Sequence, residues 1–242
     1  MTASGNFIAA RLKCCTCEPK FAMKRRKGPF LMPVNQAEAD QQRDRAVDAA
    51  LAILNDRGPN ALSLGEVASR LGLTVTALQR TFETYDDLLE AVAERWFRAK
   101  VRIMEEVVAS DLPPRRKMYE FFARRFVLLR DSYRADPVLF QMHCDLGNQH
   151  FEVVRSYVDL GDHYLCLIIA EAMDDGHFPG LSIDEALSLI NQMISAYVNI
   201  ALMVMIMEKL SEAKLARIVD TIFDGLSAED RGAIGVQGLR AA

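Results

Sequence analysis

From about Gln41 onward the apolar residues recur at helical spacing, and no period-two run bounded by turns predicts a strand. A first helix over roughly residues 40 to 57 places Val47, Ala50, Leu51 and Leu54 at i, i+3, i+4 and i+7, so it has one buried face. Gly58 followed by Pro59 ends it, through a left-handed cap and a residue that cannot donate. Ser63 with Glu66 three residues later reads as a capping box that opens a short second helix striped by Leu64, Val67, Ala68 and Leu71. Gly72 allows a sharp turn, Thr74 caps a third short helix reaching Phe82, and Thr84 with Asp87 caps a fourth that continues toward Ser110. Pro113-Pro114, Asp136-Pro137, Gly147-Asn148 and Phe178-Pro179-Gly180 then separate helices over 115–134, 137–146, 148–176, 183–208 and 211–226. The expected fold is all-α, about nine helices in all. Its divisions are an arm over 1–35, a three-helix head over 36–85, a helical body over 86–226 and a tail over 227–242.

Two short helices joined by a glycine turn and braced by a longer helix have the dimensions of a DNA-binding helix-turn-helix. On spacing alone they also fit two capped helices in an ordinary bundle. If Leu64, Val67, Ala68 and Leu71 bury against Leu78 and Phe82, then Thr74, Val75, Thr76, Gln79 and Arg80 are left for a groove-facing surface. The chemistry suits that role: Arg bridges guanine O6 and N7, Gln bridges adenine N6 and N7, and threonine methyls touch a thymine methyl.

The segment RAVDAALAILNDRGPNALSLGEVASRLGLTVTALQRTFETYDDLLEAV, about a fifth of the chain, resembles the N-terminal head of the tetracycline-repressor (TetR) family. The resemblance rests on the AA-containing first helix, the glycine after it, the Ser-hydrophobic start and VA of the second, the glycine turn, and the Leu and Phe before a capped fourth helix. It implies a homodimeric transcriptional regulator, usually a repressor, whose C-terminal helical domain binds a small molecule and releases a double-stranded DNA operator. The fourth helix would link head to body, so that repacking of the body could change the spacing of two heads. Two positions depart from the family: Gln79 stands where a tyrosine is common and Tyr85 where a lysine is common. Each can still give one hydrogen bond to a phosphate oxygen, but the missing lysine removes a charge that would release counterions.

Composition changes this picture through charge. The chain has 242 residues, 50% of them hydrophobic, with a formal net charge of -4 and a mean hydropathy of +0.03, which excludes whole-chain disorder and a uniformly basic nucleic-acid binder. The charge is unevenly spread. Between 36 and 90 the head carries a net charge of about -5, whereas the arm, with Arg11, Lys13, Lys20, Lys24, Arg25, Arg26 and Lys27 against Glu18, carries about +6. The run Lys24, Arg25, Arg26, Lys27 is therefore a candidate DNA contact that follows the backbone or enters a minor groove. It reads equally as a tail without function, and Met32 lies just ahead of the first helix, where a start would leave the arm out. The acidic head and missing lysine also admit an alternative: a TetR-like dimer that has lost DNA binding and serves as a small-molecule-binding or protein-interaction module.

In the body, Phe122, Phe126, Phe140, Tyr164, Met193 and Tyr197 are candidates to line a mainly apolar effector site, with His143, His163 or Asn199 as orienting polar groups. Plain core packing accounts for the same pattern. Ile190 to Met207 is apolar around most of its circumference. Its polar groups Asn191, Gln192, Ser195 and Asn199 argue against a membrane span, and it reads either as a central core helix or, with the last helix, as a four-helix interface to a second copy. No phosphate loop, nucleophile elbow or HExxH motif is present, so neither enzyme chemistry nor a cofactor is implied. Asp159 with His163, and Asp162 with Cys166, lie one turn apart, but neither pair is a full metal ligand set, so no metal is expected. Cys14, Cys15 and Cys17 fit no standard zinc spacing and read as a thiol sensor or as incidental. With no signal-peptide order at the start, the expected location is the cytoplasm.

Overall fold

The computed structural model describes residues 34–228, and these form helices joined by turns and loops, with no strand among them. The basic run Lys24 to Lys27, the cysteines at 14, 15 and 17, and the tail from 229 onward lie outside the described residues. The described helices are α1 (Val34–Arg57), α2 (Leu64–Leu71), α3 (Val75–Leu78), α4 (Tyr85–Val108), α5 (Pro114–Ala135), α6 (Pro137–Gln149), α7 (Phe151–Asp174), α8 (Ile183–Met193), α9 (Ser195–Val198), α10 (Ile200–Met205) and α11 (Glu212–Leu226).

Local capping explains most of these boundaries. Gly58, at φ 79, ends the α1 segment and leads into a single 3-10 turn, Pro59–Ala61. At α2 the Glu66 N–H donates to Ser63 Oγ (3.1 Å), but only half of the expected capping box forms, because the Glu66 carboxylate turns to Arg57 instead. At α4 the box is complete: Asp87 N–H donates to Thr84 Oγ1 (3.1 Å) and Thr84 N–H to Asp87 Oδ2 (2.8 Å). Thr84→Ala is expected to cost about 1 kcal/mol, read as a lower urea midpoint with an unchanged slope. An unchanged midpoint would mean that this cap is idle.

The described residues fall into two compact units. One comprises residues 34–102 with Asp131–Leu160 and the other Ile103–Arg130 with residues 161–228. In the first, Val47, Ala50, Ile53 and Leu54 of α1 bury with Val67, Ala68, Leu78, Phe82, Leu88 and Val92. Leu146 of α6 enters the same core and Met142 packs against it. This unit is therefore larger than the head expected over 36–85.

In the second unit, Met118, Phe121, Phe122 and Phe126 of α5 pack among Leu165, Ile168, Ile169, Ile190, Met203, Leu215, Val219, Ile222 and Phe223, all buried. Ion pairs brace the same helices. Arg115 reaches Asp220 and Asp224 of α11, Arg130 reaches Glu212, and the buried Lys117 Nζ lies 2.8 Å from both Glu171 oxygens and donates to the Val108 carbonyl (3.3 Å).

The single helix expected over 183–208 is instead broken into α8, α9 and α10. Asn199 is extended (φ -79, ψ 110), and its side chain accepts the Leu202 N–H (3.0 Å), so it restarts the helix as an N-cap instead of continuing it. The Tyr197 hydroxyl fixes the break by donating to the Ser211 carbonyl (3.0 Å). Leu189 and Met193 of α8 and Met205 of α10 are exposed, Met205 at 78%. No described helix is long and apolar enough to cross a membrane.

Candidate nucleic-acid interface

The turn between α2 and α3 is set by Gly72, which takes the left-handed conformation (φ 68) and donates to the Ala68 and Ser69 carbonyls. Thr74 then opens α3 by accepting the Ala77 N–H (3.2 Å). α3 is shorter than expected, ending at Leu78. Gln79 to Phe82 continue as turns with a 3-10-type bond from Thr81 N–H to the Leu78 carbonyl (2.8 Å). Leu78 and Phe82 are buried, which turns Thr74, Val75, Thr76, Gln79 and Arg80 outward, all of them exposed.

The electrostatics single out one of these residues. Arg43 pairs with Glu94 (3.2 Å), Arg57 with Glu66, Arg70 with Asp56 (3.0 Å), and Arg95 with Asp44 (3.0 Å) and Asp48 (2.8 Å). Arg80, like the exposed Arg45 of α1, has no such partner among the described residues, and of the two it is Arg80 that carries its charge on the outward side of the α3 turn. Four exposed carboxylates that no arginine neutralises follow it: Glu83, Asp86, Asp87 and Glu90. Tyr85 is half-buried at the start of α4. Burial, and then the neighbouring Asp86 charge, push its pKa above the ordinary phenol value, so its hydroxyl stays a neutral donor. It lines an open cleft of about 450 Å³ with Asn60, Ser63, Leu146, Gln149 and His150.

This arrangement, a tight glycine turn between two capped short helices with an outward polar face, is what comparison with known proteins also finds. The description "Bacterial regulatory proteins, tetR family" matches residues 46–92, and "Tetracyclin repressor-like, C-terminal domain" matches residues 114–219. The chain belongs to the TetR family. A curated relative, an uncharacterized HTH-type transcriptional regulator of Xanthobacter autotrophicus, is 26% identical over 175 residues, covering 70% of this chain and 82% of its own length. A TetR transcription regulator from Haloarcula marismortui has the same fold at 17% identity (TM-score 0.55), with 77% of this chain and 98% of that one covered. RolR, solved with resorcinol, matches at 15% identity (TM-score 0.51), with 80% and 91% covered. This TetR-family chain is thus a transcriptional regulator with a helix-turn-helix DNA-binding domain, in a family of regulators and not of enzymes.

The body candidates of this TetR-family protein do not all gather in one unit. Phe122, Phe126 and Tyr197 are buried in the second unit, where the Phe126 and Tyr197 rings meet edge to face at 5.1 Å. Tyr164 there donates its hydroxyl to Glu105 (3.3 Å), and Met193 is 43% exposed. Asn199 is spent as a helix cap. Asp162, considered above with Cys166, accepts instead from Asn191 (3.0 Å), and among the described residues no three His, Cys, Asp or Glu side chains cluster as a metal site would require.

Phe140 and His143 stand in the first unit. His143 packs on Trp96 with ring centroids 4.3 Å apart, and neither His143 Nε2 nor Trp96 Nε1 has a hydrogen-bond partner, although both are buried. Desolvation, and then the charge of Lys100, lower the His143 pKa below 6.5 against a weaker opposing pull from Asp136. A histidine with a lowered folded pKa is stabilising when neutral, and that contribution fades as pH falls through about 6.5, where the unfolded chain takes the proton first. Stability should therefore rise between pH 5 and 7, and His143→Gln should flatten the rise in urea unfolding; an identical slope in the variant would refute the assignment.

Proposed function

We propose that the protein is a homodimeric repressor that grips a palindromic double-stranded DNA operator through Thr74, Val75, Thr76, Gln79 and Arg80 and is released from it by a small, mainly apolar effector. The observation that carries the DNA half is the exposed face of α3 and of the turn after it, where Arg80 has no carboxylate partner among the described residues while Arg43, Arg57, Arg70 and Arg95 of the same unit are paired. Tyr85 adds a neutral hydroxyl donor for a phosphate oxygen. The acidic rim at Glu83 to Glu90 opposes the approach of DNA, and Lys24, Arg25, Arg26 and Lys27 offset it by following the backbone. Exposed Leu189, Met193 and Met205 support a second copy packing on α8 and α10 with α11. The effector half is supported by the aromatic content of α5 and by RolR, which holds resorcinol in the same fold.

Selection of bound fragments from a random DNA library, at two salt concentrations, tests this with the full chain and with residues 32–242. A palindromic motif enriched by both places specificity in Thr74 to Arg80, and enrichment by the full chain alone makes the arm essential. Enrichment by neither refutes operator binding. The same acidic rim favours a second reading in that event, a dimer that no longer binds DNA and works as a small-molecule or protein-interaction module.

A further inference from the structure

On α5 the apolar positions Met118, Phe121 and Phe122 fall at i, i+3 and i+4, and the next member of that stripe, at i+7, is Arg125. Met118, Phe121 and Phe122 are buried. The guanidinium is drawn in with them and lies over the Phe121 ring, 4.8 Å from its centroid. Its Nε is sealed from solvent and has no hydrogen-bond partner. Arg130 and Arg115, on the same helix, each have a carboxylate within 3.3 Å, whereas none stands within ion-pair range of Arg125. Asp162 of α7 is the charge that faces it, but that carboxylate is held by the Asn191 amide (3.0 Å), so it eases the charge of Arg125 at a distance without satisfying its donors. Desolvation correspondingly lowers the Arg125 pKa to about 10, which still leaves it cationic near neutrality.

A desolvated cation with an unmet donor is costly, and folded proteins keep one where something else supplies the acceptor. The surroundings indicate what that is. Gly161 of α7 is buried and presents no side chain: a Cβ there would stand 3.8 Å from Arg125 Nη2 and 3.9 Å from Met104 Sδ. The neighbours are apolar, the Phe121 ring and Met104 near Gly161, with Phe122 edge-on to Phe121 at 5.2 Å. A planar fork of N–H donors among aromatic and thioether groups suits a planar anion on an apolar body.

We propose that Arg125 is the anchor of an anion site in the second unit, which takes a monocarboxylate with an apolar tail or ring. The proposal deepens the effector-release reading above and rests on it only for the consequence of binding. It sharpens the expected effector from mainly apolar to apolar with an acidic head.

The test uses the purified full chain and follows thermal unfolding and calorimetric binding with butyrate, octanoate and benzoate, and with octanamide and benzamide as neutral counterparts. At least one carboxylate should raise the wild-type Tm by several degrees at millimolar concentration while its amide does not. Arg125→Met should raise the Tm of the ligand-free protein by about 2–4 °C, because a desolvated charge is replaced by an apolar chain, and should weaken carboxylate binding by about tenfold or more. Gly161→Ala keeps the charge and improves the helix but narrows the space, so it should weaken binding without loss of stability. The proposal is overturned if no carboxylate shifts the wild type, if Arg125→Met binds as the wild type does, or if Arg125→Met lowers the ligand-free Tm. Release of a selected operator fragment is scored separately: carboxylate binding that depends on Arg125 but leaves DNA bound upholds the anion site and overturns effector release.

Discussion

Arg80→Ala is expected to lower affinity for a selected operator fragment by about 10- to 100-fold, the loss of one bidentate base contact of roughly 1–3 kcal/mol. The fold should be indifferent to the change. Arg80 is exposed and makes no ion pair among the described residues, so the stability of the variant should stay within about 0.5 kcal/mol of wild type. Fluorescence anisotropy on the operator and on fragments mutated one base pair at a time separates base reading from charge. Lost discrimination at one position marks a base contact. A uniform loss across sequences, with the salt slope reduced by about one, marks a phosphate contact. Arg70→Ala is the control, because Arg70 is already held by Asp56 at 3.0 Å, and it should change affinity less than about threefold. If Arg80→Ala binds as tightly as wild type, α3 is not the reading element.

Glu171→Ala is expected to destabilise the protein by about 3 kcal/mol, because it strands the Lys117 ammonium in the interior with only the Val108 carbonyl to accept from it. The reverse deletion is milder. The Glu171 side chain is 45% exposed while that of Lys117 is 6% exposed, so once Lys117 is gone the carboxylate returns to water. Lys117→Met, which keeps most of the buried side-chain stem, should therefore cost only about 1 kcal/mol. Urea midpoints of the two variants decide the matter. A Lys117→Met loss equal to or greater than that of Glu171→Ala would show that the pair is not governed by the stranded ammonium.

These two sites differ in how far the sequence exposes them. Arg80 is legible because the features that turn it outward are local: Gly72 sets the turn, Thr74 caps the helix, and Leu78 and Phe82 are the apolar members of a short stripe. Each acts within about one helical turn, the range over which backbone hydrogen bonding and side-chain periodicity operate. Lys117 and Arg125 are legible only as anomalies, charged residues on the apolar stripe of α5 with Met118, Phe121 and Phe122. The stripe says that each is drawn inward. It cannot say that Lys117 meets Glu171, more than fifty residues away, while Arg125 meets no acceptor, because that depends on how α5 and α7 lie against one another.

The same division runs through the fold. The residues by themselves determined the all-helical class, the stops at Gly58 and Gly72, the caps at Ser63, Thr74 and Thr84, and the outward face of α3. Tertiary structure decided where Glu66 sends its carboxylate, since Arg57 competes with the Ser63 amide and wins. It also decided that α6 adds Leu146 to the head core, and that the largely apolar stretch from Ile190 breaks at Asn199, with the Tyr197 hydroxyl bonded to Ser211 across the break. A stretch that is apolar around most of its circumference carries little periodic signal to orient it, and a side chain with two possible partners chooses by distance. Only the packing of distant elements sets that distance.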